Sequence, residues 1–138
     1  MKLEGFLEKE DGEKYWGVNI PTLGIYTQGR TKKEAYAMAK DSIELLVDLP
    51  KFSVKIVPSK GLNFYISSSN MAPLIGLLLG QKRKEQGLTI QEVAARMGSK
   101  SPTAYARYES GKVKASLDKL DQILKAINED FEPIIKVG

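Results

Sequence analysis

Between Leu74 and Leu124, glycines and small polar residues cut the sequence into four short helical patterns, and no other stretch of the 138 residues narrows the available folds so far. Each boundary has a physical cause. Thr89 can accept free backbone amides at the start of the second helix, and Glu92, three residues on, can reach back to the Thr89 amide in a capping box. Gly98 follows Met97, the last apolar residue of the period, and supplies the left-handed backbone that ends a helix without steric cost. Ser101 caps a third helix whose first position is Pro102, where a missing amide hydrogen loses nothing. Gly87 and Gly111 close the helices on either side. Leu88 to Gly98 and Ser99 to Lys112 therefore predict two helices of two to three turns joined by a tight connection, at helix-turn-helix spacing.

The helical period sorts these residues into two sets. Leu88, Val93, Ala94 and Met97 share one face, as do Tyr105 and Tyr108 three residues apart, and these are the expected core. Ser101, Thr103, Ala104, Arg107 and Ser110 remain outward on the third helix, a face of mostly small residues able to approach base edges with one long guanidinium. Arg107 is the leading candidate for reading guanine or gripping phosphate. Between Gly80 and Lys114 there are eight basic residues (Lys82, Arg83, Lys84, Arg96, Lys100, Arg107, Lys112, Lys114) against three acidic ones (Glu85, Glu92, Glu109), whereas the whole chain's net charge is only +4. Such a stripe suits a polyanion, because neutralising phosphates releases condensed counterions. The same lysines would also keep helix faces hydrated, and composition by itself does not choose between the two.

Over roughly the C-terminal half, these residues resemble the Cro/repressor-type (XRE) helix-turn-helix domains. That family places a phosphate-gripping glutamine first after the cap of the second helix; here Ile90 stands there, with Gln91 one step later, and the following connection is one residue longer. The resemblance implies binding of double-stranded operator DNA through Gln91, Lys100, Ser101, Thr103, Ala104, Arg107 and Lys112. It also implies a homodimer or higher homo-oligomer, since one recognition helix of this size rarely gives useful specificity alone.

Composition excludes other classes. With no cysteine there is neither a disulfide framework nor a thiolate nucleophile, and with no histidine there is no imidazole base or ligand. The longest uncharged apolar run, Met71 to Gly80, is too short for a bilayer span and is broken by Pro73 and Gly76. The N-terminus carries acidic residues where a secretory signal needs an apolar core, so no membrane association and a cytoplasmic location are expected.

The N-terminal half has a different period. Lys2 to Asp11 alternates, Tyr15 to Pro21 alternates with Trp16, Val18 and Ile20 on one face, and Asp11-Gly12 lies in the turn between them, which predicts a hairpin. Gly24 to Gly29 reads as a third strand. Thr31 and Glu34 then open a long amphipathic helix, ended by Pro50, with Ala35, Met38, Ala39, Ile43 and Leu46 towards the sheet. Phe52 to Val57 and Leu62 to Ser67 read as a fourth strand and a fifth or extension. The run from Ser67 to Asn70 is the natural linker, dividing residues 1–69 from residues 70–138. The expected class is α+β, a β-β-β-α-β domain followed by an all-α helix-turn-helix domain.

The progression from Tyr15 to Leu46, "YWGVNIPTLGIYTQGRTKKEAYAMAKDSIELL", resembles the N-terminal domain of HicB-type antitoxins: a proline after the second strand, a third strand ending in glycine, a threonine cap, a Glu-Ala pair and a long helix follow in that order. The resemblance implies a partial RNase H-like fold without nuclease activity. It further implies a small basic HicA-like toxin as partner, whose messenger-RNA-cleaving site this domain masks, and a C-terminal domain that represses the operon. Neither resemblance accounts for Phe131 to Gly138, which reads as a terminal strand suited to dimerisation.

Nuclease activity needs several carboxylates converging on two metal ions. Glu4, Glu8 and Glu10 share one face of the first strand by parity, Asp11 and Glu13 lie at the turn, and Asp41, Glu44 and Asp48 run along the helix; none of these sets converges. No catalytic residue, metal ligand or cofactor is therefore expected. Glu8, Glu10, Asp11 and Glu13 form instead an acidic patch suited to a basic toxin. Trp16 is expected in the core, while Tyr15 and Tyr26 fit core or partner equally. A DNA-binding repressor whose N-terminal domain senses a small molecule is the alternative function.

Overall fold

The computed structural model describes residues 1–137, which cluster into two compact units, Met1–Met71 and a second beginning at Ala72. The first is a five-stranded antiparallel sheet with one helix: β1 (Leu3–Glu8), β2 (Trp16–Ile20), β3 (Ile25–Gly29), α1 (Lys32–Val47), β4 (Lys55–Pro58) and β5 (Asn63–Ser67), in the spatial order β3-β2-β1-β5-β4. The second holds α2 (Ala72–Glu85), α3 (Ile90–Arg96), α4 (Thr103–Glu109) and α5 (Leu117–Ile127). The chain is thus α+β.

Strand parity decides which side chains the sheet buries. Val18 and Ile20 in β2, Leu7 in β1, and Phe64 and Ile66 in β5 are buried on the face that α1 covers. The hairpin turn falls where Asp11-Gly12 places it, with Gly12 at φ 83° and the Glu13 amide donating to the Glu10 carbonyl at 3.0 Å. Trp16 departs from expectation. It sits at the end of β2 only half-buried, with the Lys9 and Lys32 ammoniums 5.3 and 5.0 Å from its ring centroid, so its indole is a platform for two cations as well as packing.

The helix α1 is rotated from its expected setting. Thr31 caps it, its Oγ1 accepting the Glu34 amide at 3.0 Å. Its buried residues are Ala35, Ala39 and Ile43, and Tyr36 packs edge-on against Phe64 at 5.5 Å between centroids. Met38 and Leu46, expected to face the sheet, are exposed. The reason is close approach: a Cβ at Gly29 would collide with the backbone of Glu34 and Ala35, so the helix lies nearly on the end of β3. Alanines line that contact, and the larger residues turn outward. The helix also stops at Val47, ahead of Pro50, with Asp48 in the left-handed conformation and its amide bonded to the Glu44 carbonyl at 3.0 Å. On its rim, the Glu44 carboxylate accepts from Lys40 and from the Val54 amide, tying the helix to the segment before β4.

The expected terminal strand does not form over residues 131–137, which run without regular structure; Phe131 packs against the core of the second unit, and Gly138 lies outside the described residues. Gly29→Ala should lower the stability of the N-terminal unit by about 1–3 kcal/mol through overpacking against Ala35, measured by urea denaturation with Trp16 fluorescence as the probe. A wild-type transition midpoint would refute the close approach.

Candidate nucleic-acid interface

The core of the second unit is Leu79, Val93, Ala94, Tyr105, Ile123 and Ile127, with Leu88, Met97 and Tyr108 packed around it. The residues that the helical period assigns to the interior therefore meet there. The boundaries follow the expected chemistry. Thr89 Oγ1 accepts the Glu92 amide at 3.1 Å and Glu92 Oε1 accepts the Thr89 amide at 3.3 Å, completing the capping box. Gly98 takes φ 82°, and its amide donates to the Ala95 carbonyl. At the next helix the regular turns begin at Thr103, but Pro102 already has helical dihedrals (φ −72°, ψ −9°) and its carbonyl accepts the Ala106 amide. Ser101 Oγ accepts the Thr103 amide at 3.3 Å, as an N-terminal cap does.

The helix α4 carries two opposed faces. Tyr105 is buried and Tyr108 half-buried, while Ser101, Thr103, Ala104 and Arg107 are all exposed. The hydroxyls of Ser101 and Thr103 lie 2.9 Å apart. Among the described residues the Arg107 guanidinium takes part in no hydrogen bond or salt bridge, so it is free to meet an external acceptor. Lys100 in the connection and Lys112 after the helix are exposed as well, and Gln91 is exposed at the second position of α3. A shallow apolar hollow lies where the start of α3 nears the start of α4, lined by Ile90, Gln91, Pro102 and Ala106 among others. The structure thus groups Thr103, Ala104 and Arg107 on one face of α4, with Ser101 beside Thr103 just before the helix, and leaves Gln91, Lys100 and Lys112 exposed on the neighbouring segments.

Two members of the basic stripe serve the fold instead. Arg83 donates from Nε to Glu109 Oε2 at 2.9 Å, from Nη2 to Glu109 Oε1 at 2.6 Å and from Nη1 to the Leu88 carbonyl at 2.8 Å. Only 12% of the Arg83 side chain and 15% of the Glu109 side chain remain exposed, so this guanidinium is not free for DNA. Arg96 donates to the Ala126 and Ile127 carbonyls at the end of α5. A count of charges cannot separate such residues from phosphate contacts; the spacing of Arg83 and Glu109, 26 positions apart, carries no local signal.

Burial is the largest influence on the Glu109 carboxyl and pushes its pKa up, but hydrogen bonds from Arg83 and the positive charges nearby outweigh it, leaving the group below its ordinary value. Burial, and then the neighbouring Glu109, push the Tyr105 phenol well above its usual range, so it stays neutral. Its hydroxyl feels the carboxylate without reaching it in regular hydrogen-bond geometry.

Four helices with this core, these caps and this outward face define a helix-turn-helix DNA-binding domain of the XRE type, found in transcription regulators, and residues 79–134 match the family model described as helix-turn-helix. A UPF0150 protein of Thermoplasma acidophilum is 43% identical to this chain over 49 residues, covering 34% of the chain and 71% of that relative. The chain belongs to the UPF0150 family.

The N-terminal residues assigned to a partner are only partly assembled. Glu8 and Tyr26 come together over Gly17, on the sheet face that α1 does not cover. Glu10, Asp11 and Glu13 occupy the hairpin loop, and Tyr15 is half-buried there, with the Lys14 ammonium 6.0 Å from its ring centroid. Among the described residues no group of three acidic side chains is placed to hold a metal ion, and no helix is long and apolar enough to cross a membrane.

Arg83→Met should cost about 3 kcal/mol at pH 7, because it leaves Glu109 buried without its partner. The sign reverses the usual acid dependence. In the wild type Glu109 contributes stability that is present above the unfolded carboxylate pKa of about 4.3 and is lost as pH falls through the lower folded value. In the variant burial raises the carboxyl instead, so the deficit shrinks on acidification. Thermal melts of both proteins between pH 3 and 7 test this, and a deficit independent of pH would refute it. Arg107→Ala should weaken operator binding by about 1–3 kcal/mol without changing the melting temperature; titration of labelled operator DNA at fixed salt measures the loss.

Proposed function

We propose that the chain is a HicB-type antitoxin and autorepressor. Its C-terminal unit binds its own operator as a dimer, through Arg107, Gln91, Lys100, Ser101, Thr103, Ala104 and Lys112. Its N-terminal unit neutralises a small basic HicA-like toxin by covering the site with which that toxin cleaves messenger RNA. No cofactor takes part, and masking needs no chemistry from this chain, only occupation of the toxin's site.

The observation that carries this reading is the pairing, in one chain of the UPF0150 family, of an XRE-type helix-turn-helix with a separate sheet-and-helix unit. Further support comes from that unit's order of elements, β1-β2-β3-α1-β4, which runs through the segment resembling the HicB N-terminal domain. On this reading the unit is a partial RNase H-like fold. Its hairpin carboxylates Glu8, Glu10, Asp11 and Glu13 steer the cationic toxin, and Tyr15 and Tyr26 offer flat amphipathic surface to it. Dimerisation of the DNA-binding unit belongs to the same reading, since two recognition helices presented to successive major grooves supply the specificity that one lacks.

The chain, tagged and expressed from its native locus, should copurify in near-equal amount with one small basic protein whose expression alone arrests growth, as read by mass spectrometry and a growth assay. Recovery of the chain alone, from cells in which it represses its operator, would overturn the antitoxin reading.

A further inference from the structure

The helix α1 shows solvent an apolar stripe that its own unit does not use. Leu45 is 79% exposed, Leu46 56%, Met38 39% and Leu49, just past the helix, 38%. At 3.6 residues per turn, Met38, Ser42 and Leu45 fall along one line, with Leu46 on its flank and Leu49 beyond the left-handed cap at Asp48. Clusters of exposed leucine on a helix mark interaction surfaces more often than isolated ones do.

What lies beside the stripe selects its occupant. Glu34, Asp41 and Asp48 recur every seven residues, which stacks them in a column along its other flank. All three are exposed, and among the described residues none takes part in a salt bridge, in contrast to Glu44, which is held by Lys40. A second copy of this chain fits poorly. In an antiparallel two-fold pairing of α1 with α1, both acidic columns fall on the same side of the seam and repel. A cationic partner fits well, its apolar residues on the leucines and its lysines or arginines on the column.

We infer that this stripe and its carboxylate column are the main docking surface for a small basic protein, which on the reading above is the toxin; the inference rests on that reading. The leucines supply the buried contact, and the hairpin carboxylates lie at the rim. The hairpin is joined to the start of α1 through Trp16, over which both Lys9 and Lys32 sit, so one partner lying along the helix could meet both. Glu8 and Tyr26 lie on the opposite sheet face, away from the leucine stripe.

The test uses the full chain and the small basic protein that copurifies with it. Leu45→Gln with Leu46→Gln, and separately Asp41→Lys, change exposed side chains and should leave the melting temperature and operator binding unaltered. Each variant should weaken the isolated complex by roughly tenfold or more by calorimetric titration, a shift of about 1.4 kcal/mol, and the Asp41→Lys effect should fade as salt is raised. Wild-type affinity in both variants would overturn the inference while leaving the antitoxin reading standing. A drop in the mass of the free chain on sedimentation of Leu45→Gln/Leu46→Gln would show that a second copy covers the stripe, and would also overturn it. If no basic protein copurifies, the reading and this inference fall together.

Discussion

The Arg83 guanidinium is the joint on which the DNA-binding unit depends. It holds both oxygens of Glu109 and the carbonyl of Leu88, and so fastens the end of α2 to the end of α4 and to the segment that opens α3. Charge taken this far out of water is tolerable only when it is paired and hydrogen-bonded, and here each of the three guanidinium nitrogens donates to an acceptor, two of them to one carboxylate. Tyr105 packs beside the pair and completes the shielding. With α4 fixed at one end by this pair and along one side by two tyrosines, the opposite side is presented at a defined angle. DNA-contacting side chains need such rigid support, because a misplacement of an ångström is enough to lose a bidentate contact with a base.

In the N-terminal unit the corresponding constraint is steric. Ala35 and Ala39 let α1 settle against the sheet, and Gly29 removes the side chain that would hold it away. A helix seated so closely buries a narrow arc, and the remaining apolar residues are left over. The exposed leucines therefore do not signal a poorly packed domain, because Phe64, Ile66 and Val18 beneath the helix and Ile43 on its inner face are fully buried. The fold closes its core with small residues and keeps its large flexible ones available.

Much of this was legible in the sequence, for reasons that differ from element to element. The helix-turn-helix could be read because its determinants are local: Thr89 with Glu92, Gly98, and Ser101 with Pro102 act within a turn of one another, and the structure places them accordingly. The sheet could be read from parity, which assigned Val18 and Ile20 correctly. Trp16 was misplaced because parity gives the face of a strand but not its distance from the edge. Met38 and Leu46 were misplaced because amphipathic period fixes a helix's apolar arc only when that arc matches the surface it meets, and here Gly29 selects the alanine side. The split of Arg83 and Arg96, whose guanidiniums are bonded within the unit, from a free cation such as Arg107 could not be read at all. Apart from the Leu88 carbonyl five residues beyond Arg83, their acceptors are 26 and 30 or more residues away, and only the folded chain brings them near.

The two faces of α4 also bear on how this protein can change. Tyr105, Tyr108 and Glu109 answer to the interior, whereas the Ala104 and Arg107 side chains are exposed and the Thr103 hydroxyl meets Ser101 at the start of the helix. Inward and outward positions are thus interleaved but separate letters of one seven-residue helix. A lineage can therefore replace the outward letters one at a time without passing through an unfolded ancestor.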